Sequence, residues 1–188
     1  MTKVVNTPTI ADVLRFWFDE LTPEDWFGGG AEVDVLVHDR LAGAYELAAA
    51  GTLDAWGQTS DGALALLILL DQVPRNLFRS APRAFATDER AQDLARRAVA
   101  RAQDLEQPEG DRRLFFYLPF EHAEEIVLQD CCVALVAERI GQGERLDYAE
   151  RHRAVIRRFG RFPHRNAALG RTCTAEELDY LAQPDAGF

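Results

Sequence analysis

Two short segments of this chain place an apolar residue and a proline ahead of the pair Arg-Asn. One reads Asp71-Gln-Val-Pro-Arg-Asn-Leu-Phe-Arg79, the other Arg161-Phe-Pro-His-Arg-Asn-Ala-Ala-Leu-Gly-Arg171. Guanidinium forks grip carboxylates and phosphates through paired N–H groups. Arg75, Asn76, Arg79, His164, Arg165 and Asn166 are therefore candidate ligand-binding residues for an anionic small molecule. The bland alternative is equally physical. Helices end in unpaired carbonyls at the negative end of the dipole, and Arg or Asn just beyond can satisfy them. The sequence leaves both roles open.

Between the two segments lies Phe115-Phe-Tyr-Leu-Pro-Phe-Glu-His-Ala-Glu-Glu125. Glu121 and His122 are the candidate catalytic pair, because a histidine beside carboxylates suits proton transfer near neutral pH. The competing expectation is an ion-pair network running from Glu121 and Glu125 to the arginines. A helical dimetal site needs two Glu-x-x-His segments, and here one His-x-x-Glu runs in the reverse order, so neither a metal nor a cofactor is expected. His164 is the stronger of the remaining histidines, since it falls inside the second Arg-Asn segment. His152 reads as a hydrogen-bonding residue on a helix face, and His38 is weaker still. Phe115, Phe116, Tyr117, Phe120, Phe159 and Phe162 read as filling between helices rather than pocket wall. Gly28-Gly-Gly30 lacks the Lys-Ser/Thr of a phosphate loop, and no nucleophile-elbow, zinc-protease or dinucleotide fingerprint occurs.

The elements that must position these residues are helical. Thr9 caps an apolar stripe through Ile10, Val13, Leu14, Trp17 and Phe18. Pro23 and the triple glycine break the chain. A helix over residues 31–50 buries Val33, Leu36, Val37, Leu41, Ala44 and Leu47, with Gly51 as its stop. Ser60 or Asp61 caps a helix over 62–72 that is apolar all round, hence central, and Pro74 ends it. Thr87 starts a helix to about residue 105. Pro119 opens one reaching Ile140, Asp147 caps another to Phe159, and Thr174 with Glu177 forms a capping box for the last. No alternating strand pattern is present. The expected fold is one all-α domain of seven or eight stacked antiparallel helices, with residues 1–8 a loose arm.

Composition narrows the function. The 188 residues carry a net charge of -10, which repels phosphate backbones and anionic membranes; nucleic acid and membrane partners are not expected. Three cysteines, two of them adjacent, make a poor disulfide framework. Cys131 and Cys132 read as small core residues in a reducing compartment. With no apolar leader core near residue 1, the expected location is cytoplasmic. The oligomeric state is not legible.

Leu70-Asp-Gln-Val-Pro-Arg-Asn-Leu-Phe-Arg79, Pro82-Arg-Ala-Phe-Ala-Thr-Asp88, Phe115-Phe-Tyr-Leu-Pro-Phe-Glu-His122 and Arg158-Phe-Gly-Arg-Phe-Pro-His-Arg-Asn166 together resemble an uncharacterised bacterial family, domain of unknown function nine-two-four. The resemblance runs from about Val13 to Phe188. It implies an all-α, tetratricopeptide-like stack of helical hairpins and assigns no reaction. This chain departs from the family pattern with Val73 in place of Phe, Ala123 in place of Ser, and the Cys131-Cys132 pair. Two functions fit: a cytoplasmic small-molecule site in which Arg75, Asn76, Glu121, His122, Arg165 and Asn166 converge on one cleft, or a helical peptide- or protein-interaction module whose polar motifs are purely structural.

Overall fold

The computed structural model describes residues 8–184 with 186 and 187. Apart from Pro8, the expected N-terminal arm lies outside them. Every regular element among the described residues is helical: α1 (Ile10–Arg15), α2 (Pro23–Gly28), α3 (Ala31–Ala49), α4 (Ser60–Leu67), α5 (Val73–Leu77), α6 (Asp88–Ala100), α7 (Asp111–Leu114), α8 (Leu118–Glu121), α9 (Ile126–Arg139), α10 (Glu144–Phe159) and α11 (Ala175–Leu181), with short 3-10 and π turns between some of them. The all-α single unit expected from periodicity is what the chain forms.

The apolar run dictates the centre. From Gly62 to Pro74 every residue is buried, and α4 packs against both α1 and α6. Thr59, one residue before the expected caps, accepts from the Gly62 N–H. Gly62 is required there, because a Cβ would sit 2.0 Å from the Trp56 carbonyl oxygen. Around this helix lie Trp17, Tyr45, Phe115, Phe116, Tyr117 and Phe120, each almost fully buried. The aromatic segment is thus core, as its composition suggests.

Pro74 does not end the central helix. The chain widens into a π turn at Ile68–Gln72, in which the Val73 N–H reaches back to the Ile68 carbonyl, and then runs on as α5. Proline lacks the donor that would satisfy the Leu70 carbonyl and would clash with it in a regular helix. The wide turn avoids the clash, and the Thr87 hydroxyl donates to Leu70 O at 2.6 Å instead. Thr87 therefore bonds to α4's extension rather than capping α6 with its side chain. A similar π turn at Phe16–Glu20 follows α1. Pro23, expected only to break the chain, begins α2 under a Thr22–Asp25 capping box. Trp26 Nε1 donates to Trp17 O at 2.7 Å and ties α2 to that turn.

Two other boundaries move. The helix expected from Pro119 to Ile140 is interrupted after Glu121 and resumes at Ile126. The buried Gln129 amide explains how: its Nε2 donates to the carbonyls of Phe120, Glu121 and Ala123, groups a continuous helix would have satisfied itself. Asp147 lies inside α10, which starts at Glu144 behind Gly143. Leu36 is 50% exposed rather than buried, because Tyr45 and Ala48 take the inward stripe of α3. Cys131 is exposed on α9, and only Cys132 is a core residue. Thr9 caps α1 as expected, Asp12 completing a box with it, and Thr174 with Glu177 forms the capping box that their spacing indicates.

Candidate functional site

A cleft of about 540 Å³ opens where the end of the central helix, the break after α8, the first turns of α10 and the second Arg-Asn loop meet. Its deepest polar element comes from the π turn and the helix break. The π turn points Asp71 inward, and the break leaves His122 just past the end of α8. His122 Nδ1 lies 2.9 Å from both Asp71 oxygens. Burial alone would lift the Asp71 carboxyl, but His122, with help from Arg75, holds it below its usual range. An ionised carboxylate only accepts hydrogen bonds. The Nδ1 position therefore carries the proton, and in the neutral ring Nε2 keeps its lone pair. Nε2 has no partner among the described residues, and His122 lines the cleft.

Beside this dyad stands Glu121, only 5% exposed. Burial raises its carboxyl to about 7; the nearby Asp71 charge adds to this, and His122 and Arg145 oppose it. Its Oε1 is 3.6 Å from His152 Nδ1. That nitrogen donates to the Tyr148 carbonyl one turn back at 2.9 Å. Burial drives His152 down to about 3, so the ring is neutral across the physiological range. Glu121 thus faces a neutral imidazole and can hold or release a proton near pH 7.

At the other end, Asp88 gathers the arginines of both segments. Arg75 reaches its two oxygens at 2.8 and 2.9 Å and also donates to the Ala84 carbonyl. Arg165 Nη1 makes one long contact of 3.4 Å to Asp88 Oδ2. Phe85 lies against both guanidinium carbons, 4.5 Å from Arg75 and 4.8 Å from Arg165. Phe162 contacts Arg165 as well, at 4.5 Å. Arg75 stands 3.7 Å from Asp71, so an unbroken chain of contacts joins His122 to Arg165.

The family model for the bacterial protein of unknown function DUF924 matches residues 13–185. The chain belongs to the DUF924 family. A solved structure, of a protein of unknown function from Agrobacterium tumefaciens, is 43% identical, with 92% of this chain and 96% of that chain covered and a TM-score of 0.87. No curated protein matches.

In this DUF924 chain, Arg75, Asn76, Arg79, Glu121, His122, His164 and Arg165 all border the cleft. Asn166 does not. It is fully buried and is held by Arg171, Cys173 and Glu177. Asn76 donates to Asp34 at 2.9 Å, and Arg79 clasps both Asp34 oxygens, so these two tie α5 to α3. The network expected from Glu121 and Glu125 to the arginines does not form. Asp88, Asp34, Glu124 and Glu177 take those arginines instead, because the helix break carries Glu121 inward, away from them. Among the described residues no three potential ligands gather as a metal ion requires. Asp71 and Asp88 carry no mark of site residues in the sequence. Both sit inside the quoted segments, and each looks like an ordinary helix residue until the π turn and the loop before α6 bring it inward.

The neutral histidines make the fold acid-sensitive. For His152 the folded state resists the proton that the unfolded chain accepts at 6.5. Stability is therefore lost as pH falls below that value, by about 2 kcal/mol at pH near 5. His152→Gln should flatten the decline of the urea midpoint between about pH 7 and 5; an unchanged decline would place the acid sensitivity elsewhere.

Proposed function

We propose that this protein is a cytoplasmic acid–base enzyme acting on an anionic small molecule held in the cleft. The observation that carries the reading is the Asp71–His122 dyad, with Nδ1 fixed 2.9 Å from the carboxylate and Nε2 left without a partner in a lined cavity. A carboxylate that fixes the tautomer and steadies the imidazolium is what a general base needs. His122 Nε2 takes a proton from the substrate, and Glu121, titrating near 7, supplies or receives the second. Arg165 at the far end attracts the anionic group. The cytoplasmic assignment agrees with three cysteines that are all free among the described residues and with the lack of a described helix long and apolar enough to cross a membrane.

The rival is a helical interaction module in which these polar groups are braces. Arg79 and Asn76, bonded to Asp34, and Asn166, held by Arg171, Cys173 and Glu177, behave that way. His122 and Arg165 do not, and they are the residues the proposal uses.

The test is untargeted. Purified protein is incubated with an extract of small organic acids and phosphate esters, and substrate loss is followed by mass spectrometry. Wild type should consume at least one compound and His122→Gln none, with both proteins giving the same near-ultraviolet circular dichroism. Conversion by neither, or equally by both, would remove the enzyme reading.

A further inference from the structure

Arg165 is an unusual arginine for this protein. It is 6% exposed, yet its N–H groups are poorly used. Nη1 has the one long contact to Asp88, Nε is sealed from solvent without a partner, and Nη2 has no partner among the described residues. The contrast with Arg75 is direct, since that residue engages both Asp88 oxygens and a carbonyl. A buried guanidinium is costly unless its donors are satisfied. Phe85 and Phe162 crowd the group from close range. One donor corner on the cleft side is what remains.

The charges around that corner limit what it can take. Arg75 and Arg165 are matched by Asp71 and Asp88, the other two arginines of the cleft, Arg79 and Arg145, are paired with Asp34 and Asp111, and Glu121 adds a further carboxyl. Glu24 and Glu144, neither of them ion-paired among the described residues, border the same cleft. Each negative charge a ligand brings is therefore uncompensated, unless a proton enters with it. Glu121, whose carboxyl burial raises to about 7, can take up one. A phosphate ester would bring nearly two charges and three acceptor oxygens, and sites for such groups offer several donors, commonly main-chain N–H groups or a lysine beside the arginine. Lys3 is the single lysine of the chain and lies outside the described residues. A carboxylate brings one charge and needs no more than the one charged donor corner that Arg165 leaves open.

Resting on the reading of the cleft as a small-molecule site, we infer that its ligand is a monocarboxylate whose head group docks on Arg165 and not a phosphate ester. The contact chain from Arg165 through Asp88, Arg75 and Asp71 to His122 then places the reacting part of the ligand toward the dyad. The substrate class is a small organic acid.

Three probes that share one ring separate the alternatives: benzoate, its neutral amide benzamide, and phenyl phosphate. The readout is the side-chain Nε–H resonance of Arg165 in a nitrogen-15 spectrum, assigned by its loss in Arg165→Met. The sealed, unpartnered Nε–H should be a resolved signal. Benzoate at millimolar concentration should shift it, with affinity falling as pH rises because a proton is taken up. Arg165→Met, followed through the backbone amide resonances of the cleft residues, should bind benzoate about ten-fold or more weakly. Equal or stronger shifts with phenyl phosphate would overturn the carboxylate assignment and leave the small-molecule site standing. Equal shifts with benzamide would mean an apolar site with no anion anchor. No shift at Arg165 with any probe, or shifts only outside the cleft, would count against both the inference and the site. Because the readout needs no turnover, benzoate binding alongside a failed conversion assay would sink the acid–base reading alone.

Discussion

Arg75→Met is expected to lower the unfolding free energy by about 3–5 kcal/mol, while Arg165→Met should leave it within about 1 kcal/mol of wild type or raise it slightly. The two arginines occupy corresponding positions in the two Arg-Asn segments and share the same carboxylate, but their bonding differs. Arg75 neutralises Asp88 through two short contacts and stands beside Asp71, whose side chain is almost wholly buried. Removing it leaves two buried carboxylates short of a counter-charge, and Asp88, already raised by burial, would have to take up a proton. Arg165 gives up one long contact and its packing on two rings. Burial, with Arg75 nearby, lowers its own pKa to about 10, which means the fold works against its charge. Urea unfolding of both variants at neutral pH decides the matter. Equal losses would make Arg165 a brace like Arg75 and would take away the basis for an anion anchor.

Glu121→Gln is expected to stabilise the protein at alkaline pH. The folded carboxyl titrates at about 7 against 4.5 for the free side chain. Stability from the bound proton is complete below the unfolded value and is lost as pH rises through 7, amounting to about 3 kcal/mol once the group is ionised. The amide cannot ionise and escapes that loss. The variant should therefore match wild type near pH 4 and exceed it by about 3 kcal/mol near pH 9. Natural sequences keep such a liability where function uses it. A variant less stable than wild type at every pH would instead make Glu121 a structural acceptor.

The fold was legible because its signals are local and redundant. The all-apolar run before Gln72, the caps at Thr9 and Thr174, and the stops at Gly51, Gly141 and Gly160 each point to the element that forms. The cleft was legible in part. The paired Arg-Asn segments and Glu121-His122 do border one cavity. What sequence could not supply was the partner of each group. Asp71 reaches His122 across 51 positions and Asp88 reaches Arg165 across 77, and no local pattern encodes those separations. Asn166 shares its dipeptide with Asn76 but not its orientation, because a dipeptide does not encode which way its turn faces. The helix break after Glu121 was missed because its cause, the Gln129 amide, lies eight residues further on in the next helix.

The π turn at Ile68–Gln72 has a consequence for how this chain can change over generations. A π turn holds one residue more than an α turn, and α5 begins directly behind it. Loss of one codon within the turn would leave the hydrophobic content unchanged but would close the wide turn and set Pro74 against the carbonyl one turn back. The chain would have to kink or break at that point, pulling Arg75 off Asp88 and Asn76 off Asp34 in one event. Such a deletion is silent to composition and to hydropathy. The spacing between the apolar run and Pro74 is therefore inherited as a unit, and length in this stretch should vary far less than residue identity.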